Sequence, residues 1–415
     1  VPRLLVALLC ALSLAIPAVA AAAPPATQTQ APAQACQNRT APPAAVDASE
    51  KPAPGQQPPA PLPVPADPVG GPRLGECGLV LPVGAPQPPA NQFESWVLAD
   101  LDSGRVLAAR DPHARQRPAS LIKILLATVV LRELKMDTQV TGTWDDANQD
   151  GTRVGIGPDG KYTNDQVLHA LLMHSGNDAA HSFAVQLGGM DQAVAKMNAL
   201  AHSSGALDTR TASPSGLDGP GMSSSAYDLA LLYRIAMQDK RFADAVRTEQ
   251  IQFPGWGDKP AFVVANDNPL LYNYEGDLGG KTGYTDDALH TYINAAQRGS
   301  SRIVLVGMRG TMSPVTAMYT QSKSLMDYGL ALAQSAAQPV GQLVDQDPDS
   351  RVSATPTTAA APLVAKQVTA ASPVDPGPDN PLLVVLLLVG VLVLGYVVFA
   401  VLRNRSRPDK TSQNP

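Results

Sequence analysis

Three cysteines, six histidines and 5% aromatic residues are sparse for a chain of 415 residues, and each scarcity removes a class of function. No two histidines have the spacing of a zinc-binding helix, and no Gly-x-Ser-x-Gly accompanies them. A zinc peptidase or a Ser-His-Asp hydrolase is therefore disfavoured, and the histidines read as structural or surface groups. The formal net charge is only −5, and there is no Lys/Arg stripe or aromatic–basic interleaving. Nucleic acid is not expected as a partner. No repeat is present, and neither a metal nor another cofactor is expected. Two stretches, 21–90 and 336–380, are dominated by Pro and Ala and lack any sustained apolar period. Such stretches are expected to bury too little surface to offset chain entropy, so they read as an extracytoplasmic arm and a linker. A block of about 245 residues, 91–335, remains to form a single core.

Apolar residues are concentrated at the two ends. Leu4–Ile16 is an apolar run after Arg3, and Ala18-Val19-Ala20 offers small residues for cleavage. Residues 1–20 are read as a secretory signal peptide. Near the other end, 381–402 is a long run without charge, followed by Arg403, Arg405, Arg407 and Lys410. About 21 apolar residues in a helix span roughly 32 Å, enough for a hydrocarbon core of roughly 30 Å. The expectation is a plasma-membrane protein with one spanning helix. Its tail, 403–415, would be cytoplasmic and its bulk on the extracytoplasmic side. Cys36 and Cys77 would then lie where disulfides persist, as a pair that shortens the arm.

Within the central block, Ser95–Asp100 and Arg105–Ala109 flank Asp102-Ser103-Gly104 and read as a hairpin. Ser120–Leu134 is apolar almost all round, the mark of a buried central helix. Thr163 with Gln166, and Ser225 with Asp228, each form a capping box ahead of a helical run. A further helix is expected from about Asp178 to Leu187, so Ser175-Gly176-Asn177 occupies a turn between two helices. His290–Ala296 and Arg302–Met308 read as strands, and about Ser313–Ser335 as a helix. Strands at both ends with helices between them predict an α+β fold, one sheet with an inserted helical subdomain.

Three short motifs carry the chemistry: Ser120-Leu121-Ile122-Lys123, Ser175-Gly176-Asn177 and Lys281-Thr282-Gly283. Positions i and i+3 share a helix face, so Lys123 can approach the Ser120 hydroxyl. Serine needs a base, and a lysine serves only when burial and a second cation lower its pKa. Lys281 is that cation. Ser175 is a candidate proton relay to a leaving amine, and Asn177 a candidate to orient the substrate amide or the lysine. A strand bearing Lys281 and Thr282 along a cleft can pair with an extended peptide and bind its carboxylate. The backbone N–H groups of Ser120 and Tyr284 are placed to hold an oxyanion.

In combination these motifs resemble those of the penicillin-recognising serine D,D-peptidases, the low-molecular-mass D-alanyl-D-alanine carboxypeptidases. Thr211–Leu217 with Ser224–Ala230, and Asn266-Asp267-Asn268 leading into Gly279–Thr285, are similar to that family as well. The resemblance covers most of 91–330. It implies an antiparallel sheet flanked by helices, the penicillin-binding and serine β-lactamase-like fold, with the serine at the start of a central helix. Carried over by position, Ser120 is the nucleophile, Lys123 its base, and Ser175 the third catalytic residue. Asn177, Lys281, Thr282, Gly283 and Tyr284 bind substrate. The implied reaction removes the terminal D-Ala of peptidoglycan stem pentapeptides, and β-lactams are the implied covalent inhibitors. D,D-endopeptidase or transpeptidase action uses the same acyl-enzyme, and a silent wall-binding module is the non-enzymatic alternative. Two departures stand out. Leu289 replaces a frequent Gly, and the Glu-x-x-Leu-Asn element of related β-lactamases is missing. A chain cut near Ala337 is expected to stay folded.

Overall fold

The computed structural model describes residues 36–344. Within them, segments far apart in sequence meet in one antiparallel sheet. β1 (Leu79–Val80), β2 (Phe93–Asp100) and β3 (Arg105–Arg110) come first in the chain. β4 (Asp277–Thr285), β5 (Leu289–Arg298), β6 (Ser301–Gly310) and β7 (Gly341–Gln342) come last. The order is β1-β3-β2-β6-β5-β4, and β7 shares the outer side of β3 with β1. The two halves join at β2 and β6, where Val97 faces Val306 and Leu98 faces Leu305.

Side chains alternate across a strand, and both faces here are apolar. Val97, Ala99, Val304 and Val306 pack on the helical subdomain, whereas Trp96, Leu98, Ile303 and Leu305 pack on the C-terminal helix. The subdomain lies between β3 and β4. It holds α1 (Lys123–Glu133), α2 (Asn164–Met173), α3 (Asn177–Gln186), α4 (Met190–Ser203), α5 (Ala226–Ala236) and α6 (Lys240–Arg247). α7 (Thr316–Ala333) covers the opposite face. Thr163 and Gln166 form the expected reciprocal capping box of α2. At α5 only half of the expected box exists. Ser225 accepts from the Asp228 N–H, but the Asp228 carboxylate turns to Asp208 N and Thr209 Oγ1. The sequence reading named no element over 190–203, where α4 lies.

The described part of the expected arm, 36–90, is packed on the domain. Proline-rich chain has few N–H groups to satisfy, and buried cations supply donors for its carbonyls. Arg115, 1% exposed, donates to Thr40 O at 2.9 Å, Leu62 O at 2.6 Å and Pro63 O at 2.7 Å, while its Nε binds Asp208. His113 lies 2.7 Å from Asp208 through Nδ1 and 3.0 Å from Val69 O through Nε2. Leu74 and Val80 join the core. Cys36 and Cys77 are bonded, with Cα atoms 5.1 Å apart. Because the loop they close is packed on the domain, the constraint that the disulfide places on the unfolded chain stabilises that domain, by roughly 4 kcal/mol for a loop of this length.

The expected domain end at 335 is also too early. Val340 and Leu343 are buried and Gly341 pairs with Val106, so a cut near Ala337 removes β7. A two-residue strand in Pro/Ala context has no period to reveal it. The expected signal (1–20), spanning helix (381–402) and tail (403–415) lie outside the described residues. Among the described residues, no helix is long and apolar enough to cross a membrane.

Candidate active site

Ser120 sits in a 3-10 turn, Ala119–Ile122, that leads into α1, so the serine precedes the α-helix instead of opening it. Ala119 takes φ +47°, a left-handed bend that costs an Ala roughly 1–2 kcal/mol. Thr291 Oγ1 secures the bend by donating to Pro118 O at 3.0 Å. Side chains three apart nearly eclipse in a 3-10 turn, which sets Lys123 over Ser120. Lys123 Nζ lies 2.9 Å from Ser120 Oγ and donates to Asn177 Oδ1 at 2.7 Å and Ser215 O at 2.6 Å. Lys123 is fully buried. Burial pushes its pKa well below the ordinary lysine range and the Lys281 charge adds to the drop, with Asp178 acting in the other direction.

Between α2 and α3, Ser175 adopts φ +62° and lines the cleft. Asn177 is tied from both ends, its N–H donating to Thr152 O and its Nδ2 to Asp150 O, each at 2.7 Å. That leaves Oδ1 facing Lys123, so the side chain orients the lysine. Asp178 had no role in the sequence reading. It is fully buried and accepts from the N–H groups of Val154, Gly155, Ile156 and Ala179 at 2.7–3.0 Å. Those bonds fix the loop that carries Thr152.

The opposite wall is β4, the last strand of the sheet. Lys281 is 2% exposed and donates to Thr282 O at 2.8 Å. Burial brings its pKa down to about 8, and Asp267 opposes the shift. Asp267 forms an ion pair with His174 at 3.0 Å and raises the histidine pKa. A Cβ at Gly283 would lie 2.4 Å from Thr291 Oγ1 and 2.9 Å from Ser120 N. Only glycine lets this strand run against the serine. Tyr284 is 54% exposed at the rim, with its ring 5.0 Å from that of His290. Leu289 holds φ +56°, so the hairpin keeps the left-handed geometry that a glycine adopts freely.

Together the walls enclose a cleft of about 310 Å³ lined by Ser120, Thr152, Ser175, Thr282, Gly283 and Tyr284 among others. Lys123, Asn177 and Lys281 are buried around it. All eight residues singled out in the sequence therefore meet at one place. Missed were Asp178, the Asp267–His174 pair and the Ser215 carbonyl. Gly216 brings that carbonyl in, since a Cβ there would lie 2.1 Å from Ala119 O. Its place four residues beyond Thr211 in a Ser-Pro-Ser-Gly turn gave no chemical signal, because only a backbone atom acts.

The arrangement is a serine, a buried amine of depressed pKa and a second, cationic lysine on an open strand edge. It suits acyl transfer to serine from a peptide ending in a carboxylate. The profile of the peptidase S11 family, D-alanyl-D-alanine carboxypeptidase, matches residues 83–311. The D-alanyl-D-alanine carboxypeptidase DacB2 of Mycobacterium tuberculosis is 43% identical over 267 residues, covering 64% of this chain and 90% of that protein. DacF of Bacillus subtilis, another D-alanyl-D-alanine carboxypeptidase, is 30% identical over 52% of this chain and 57% of its own length. A crystal structure of a D-alanyl-D-alanine carboxypeptidase from Mycobacterium tuberculosis superposes with TM-score 0.60 at 41% identity, covering 63% of this chain and 99% of that one. A Streptomyces DD-transpeptidase superposes with TM-score 0.56 at 25% identity, covering 59% of this chain and all of that one. The chain belongs to the D-alanyl-D-alanine carboxypeptidase family and is a serine-type D,D-carboxypeptidase.

Proposed function

We propose that Ser120 is the nucleophile of this carboxypeptidase and Lys123 its base. Lys123 takes the Ser120 proton, and Oγ attacks the carbonyl carbon of the penultimate D-Ala in a peptidoglycan stem pentapeptide. The backbone N–H groups of Ser120 and Tyr284 hold the oxyanion. The C–N bond breaks, the proton passes through Ser175 to the amine of the departing D-Ala, and water then hydrolyses the ester. Thr282 and the Lys281 cation hold the terminal carboxylate while the peptide extends beside β4. A β-lactam enters by the same attack on its ring amide.

The observation that carries this reading is Lys123 Nζ 2.9 Å from Ser120 Oγ inside a desolvated site. A labelled penicillin tests it. Wild type should form a covalent adduct and Ser120→Ala none, and equal labelling would remove Ser120 from its role. The Streptomyces neighbour is a transpeptidase by its own name. Product analysis on a pentapeptide with and without an acceptor amine separates release of free D-Ala from peptide transfer.

For the cellular setting we propose a wall-side enzyme held at the plasma membrane by residues 381–402. The support is the charge-free run and the four cations that follow it. A chain ending after Val344 should leave the membrane fraction and still bind penicillin, whereas persistence with membranes would refute this anchor.

A further inference from the structure

The segment running from β3 to the nucleophile alternates His113, Arg115 and Arg117, and each holds part of residues 40–69. His113 meets Val69 O, Arg115 meets three carbonyls, and Arg117 binds Glu50. Arg117 stands three residues before Ser120 and is 2% exposed. Its Nε and Nη2 form a two-pronged contact with the Glu50 carboxylate, Nη2 at 2.8 Å from Oε2. Burial alone would lower the Arg117 pKa, but Glu50, then Asp287 and Asp218, raise it above the ordinary value.

Asp287 belongs to the other wall of the cleft. It lies in the turn joining β4 to β5, two residues beyond the end of the strand that carries Lys281 and Thr282. It is 2% exposed, accepts from Val46 N–H, and stands 3.9 Å from Arg117 Nε. One short piece of the N-terminal stretch, 46–50, thus grips the approach to the serine through Glu50 and the tip of the substrate strand through Val46. This piece lies outside the family match, which begins at residue 83. The catalytic geometry depends on the distance between those two walls.

We propose that residues 46–50 form a positioning clasp, in which Glu50 acts through Arg117 to hold the Ser120 turn in register with β4. The clasp rests on the assignment of Ser120 as nucleophile. It lies outside the family match and is supplied by a stretch whose composition reads as a spacer.

The test measures penicillin acylation by the full chain as wild type, Glu50→Gln, Glu50→Asp and Ser120→Ala, with melting temperature followed in parallel. Glu50→Gln should lower the limiting acylation rate about tenfold, because small displacements of reacting atoms are costly. Its half-saturating penicillin concentration should stay within about twofold of wild type, and Glu50→Asp should recover part of the rate. A limiting rate at the wild-type level in Glu50→Gln, with Ser120→Ala silent, would overturn the clasp and leave the nucleophile in place. A slow Glu50→Gln that returns to the wild-type rate once cooled enough to be fully folded would also overturn it, since the effect would be stability alone. Labelling of Ser120→Ala at the wild-type rate would overturn the Ser120 assignment and the clasp with it.

Discussion

The two walls of the cleft each bury a lysine, and the protein treats them differently. On the helical wall, Lys123 is wrapped by a hydroxyl, an amide oxygen and a carbonyl, with no carboxylate in hydrogen-bond contact. Its nearest carboxylate influence, Asp178, is spent on four backbone N–H groups. On the strand wall, Lys281 has one carbonyl partner and the field of Asp267. Both are desolvated, yet Lys123 falls well below the ordinary range and Lys281 only to about 8. Each pKa unit is about 1.4 kcal/mol between protonation states, so modest differences in surroundings separate a base from a cation. In the proposed mechanism, neutral Lys123 takes a proton and charged Lys281 holds a carboxylate.

The largest effect should come from removing the base. Lys123→Arg keeps a cation but cannot lose its proton usefully. Acylation at neutral pH should drop by about 10³-fold, within the usual range for a lost general base, with circular dichroism unchanged. A rate within tenfold of wild type would place the base elsewhere. Lys281→Arg keeps the charge and alters only geometry, so the loss should be about tenfold and appear mostly in KM for the pentapeptide. An equal loss in kcat would mean that Lys281 acts in the chemistry. Asp267→Asn should be smaller still. Without that carboxylate the Lys281 pKa falls further, and activity near pH 8 should decline a few-fold relative to pH 6.5. An unchanged ratio would show that Asp267 does not support the cation.

This contrast is partly legible in the sequence. Ser120, Lys123, Ser175, Asn177, Lys281 and Thr282 could be found because their chemistry resides in side chains at fixed local spacing, and Lys123 could be distinguished by its apolar helix. What the spacing did not show was the 3-10 entry at Ala119–Ile122, which depends on a left-handed Ala119 and on Thr291 from a distant strand. Ser215 contributes a carbonyl, and any residue type has one. The sheet could be anticipated from strand runs at both ends, but not β7, which is too short for a period. Residues 36–71 were misread for a different reason. They are held through backbone carbonyls by Arg115 and Arg210 and through Glu50 by Arg117, not by an apolar stripe. The alternating His113, Arg115 and Arg117, set between a strand and a buried helix, were the available signal.

The opposite protonation states of the two lysines are tested most directly by the second-order acylation rate as a function of pH, which reports the free enzyme. For wild type, the rate should rise with pH as Lys123 loses its proton and fall again as Lys281 loses its own, with the alkaline limb near pH 8. In Lys281→Arg the acid limb should stay where it is, because Lys123 still sets it. The alkaline limb should disappear from the accessible range, because guanidinium stays charged to a pKa above about 12. An alkaline limb that remains near pH 8 in Lys281→Arg would contradict the account.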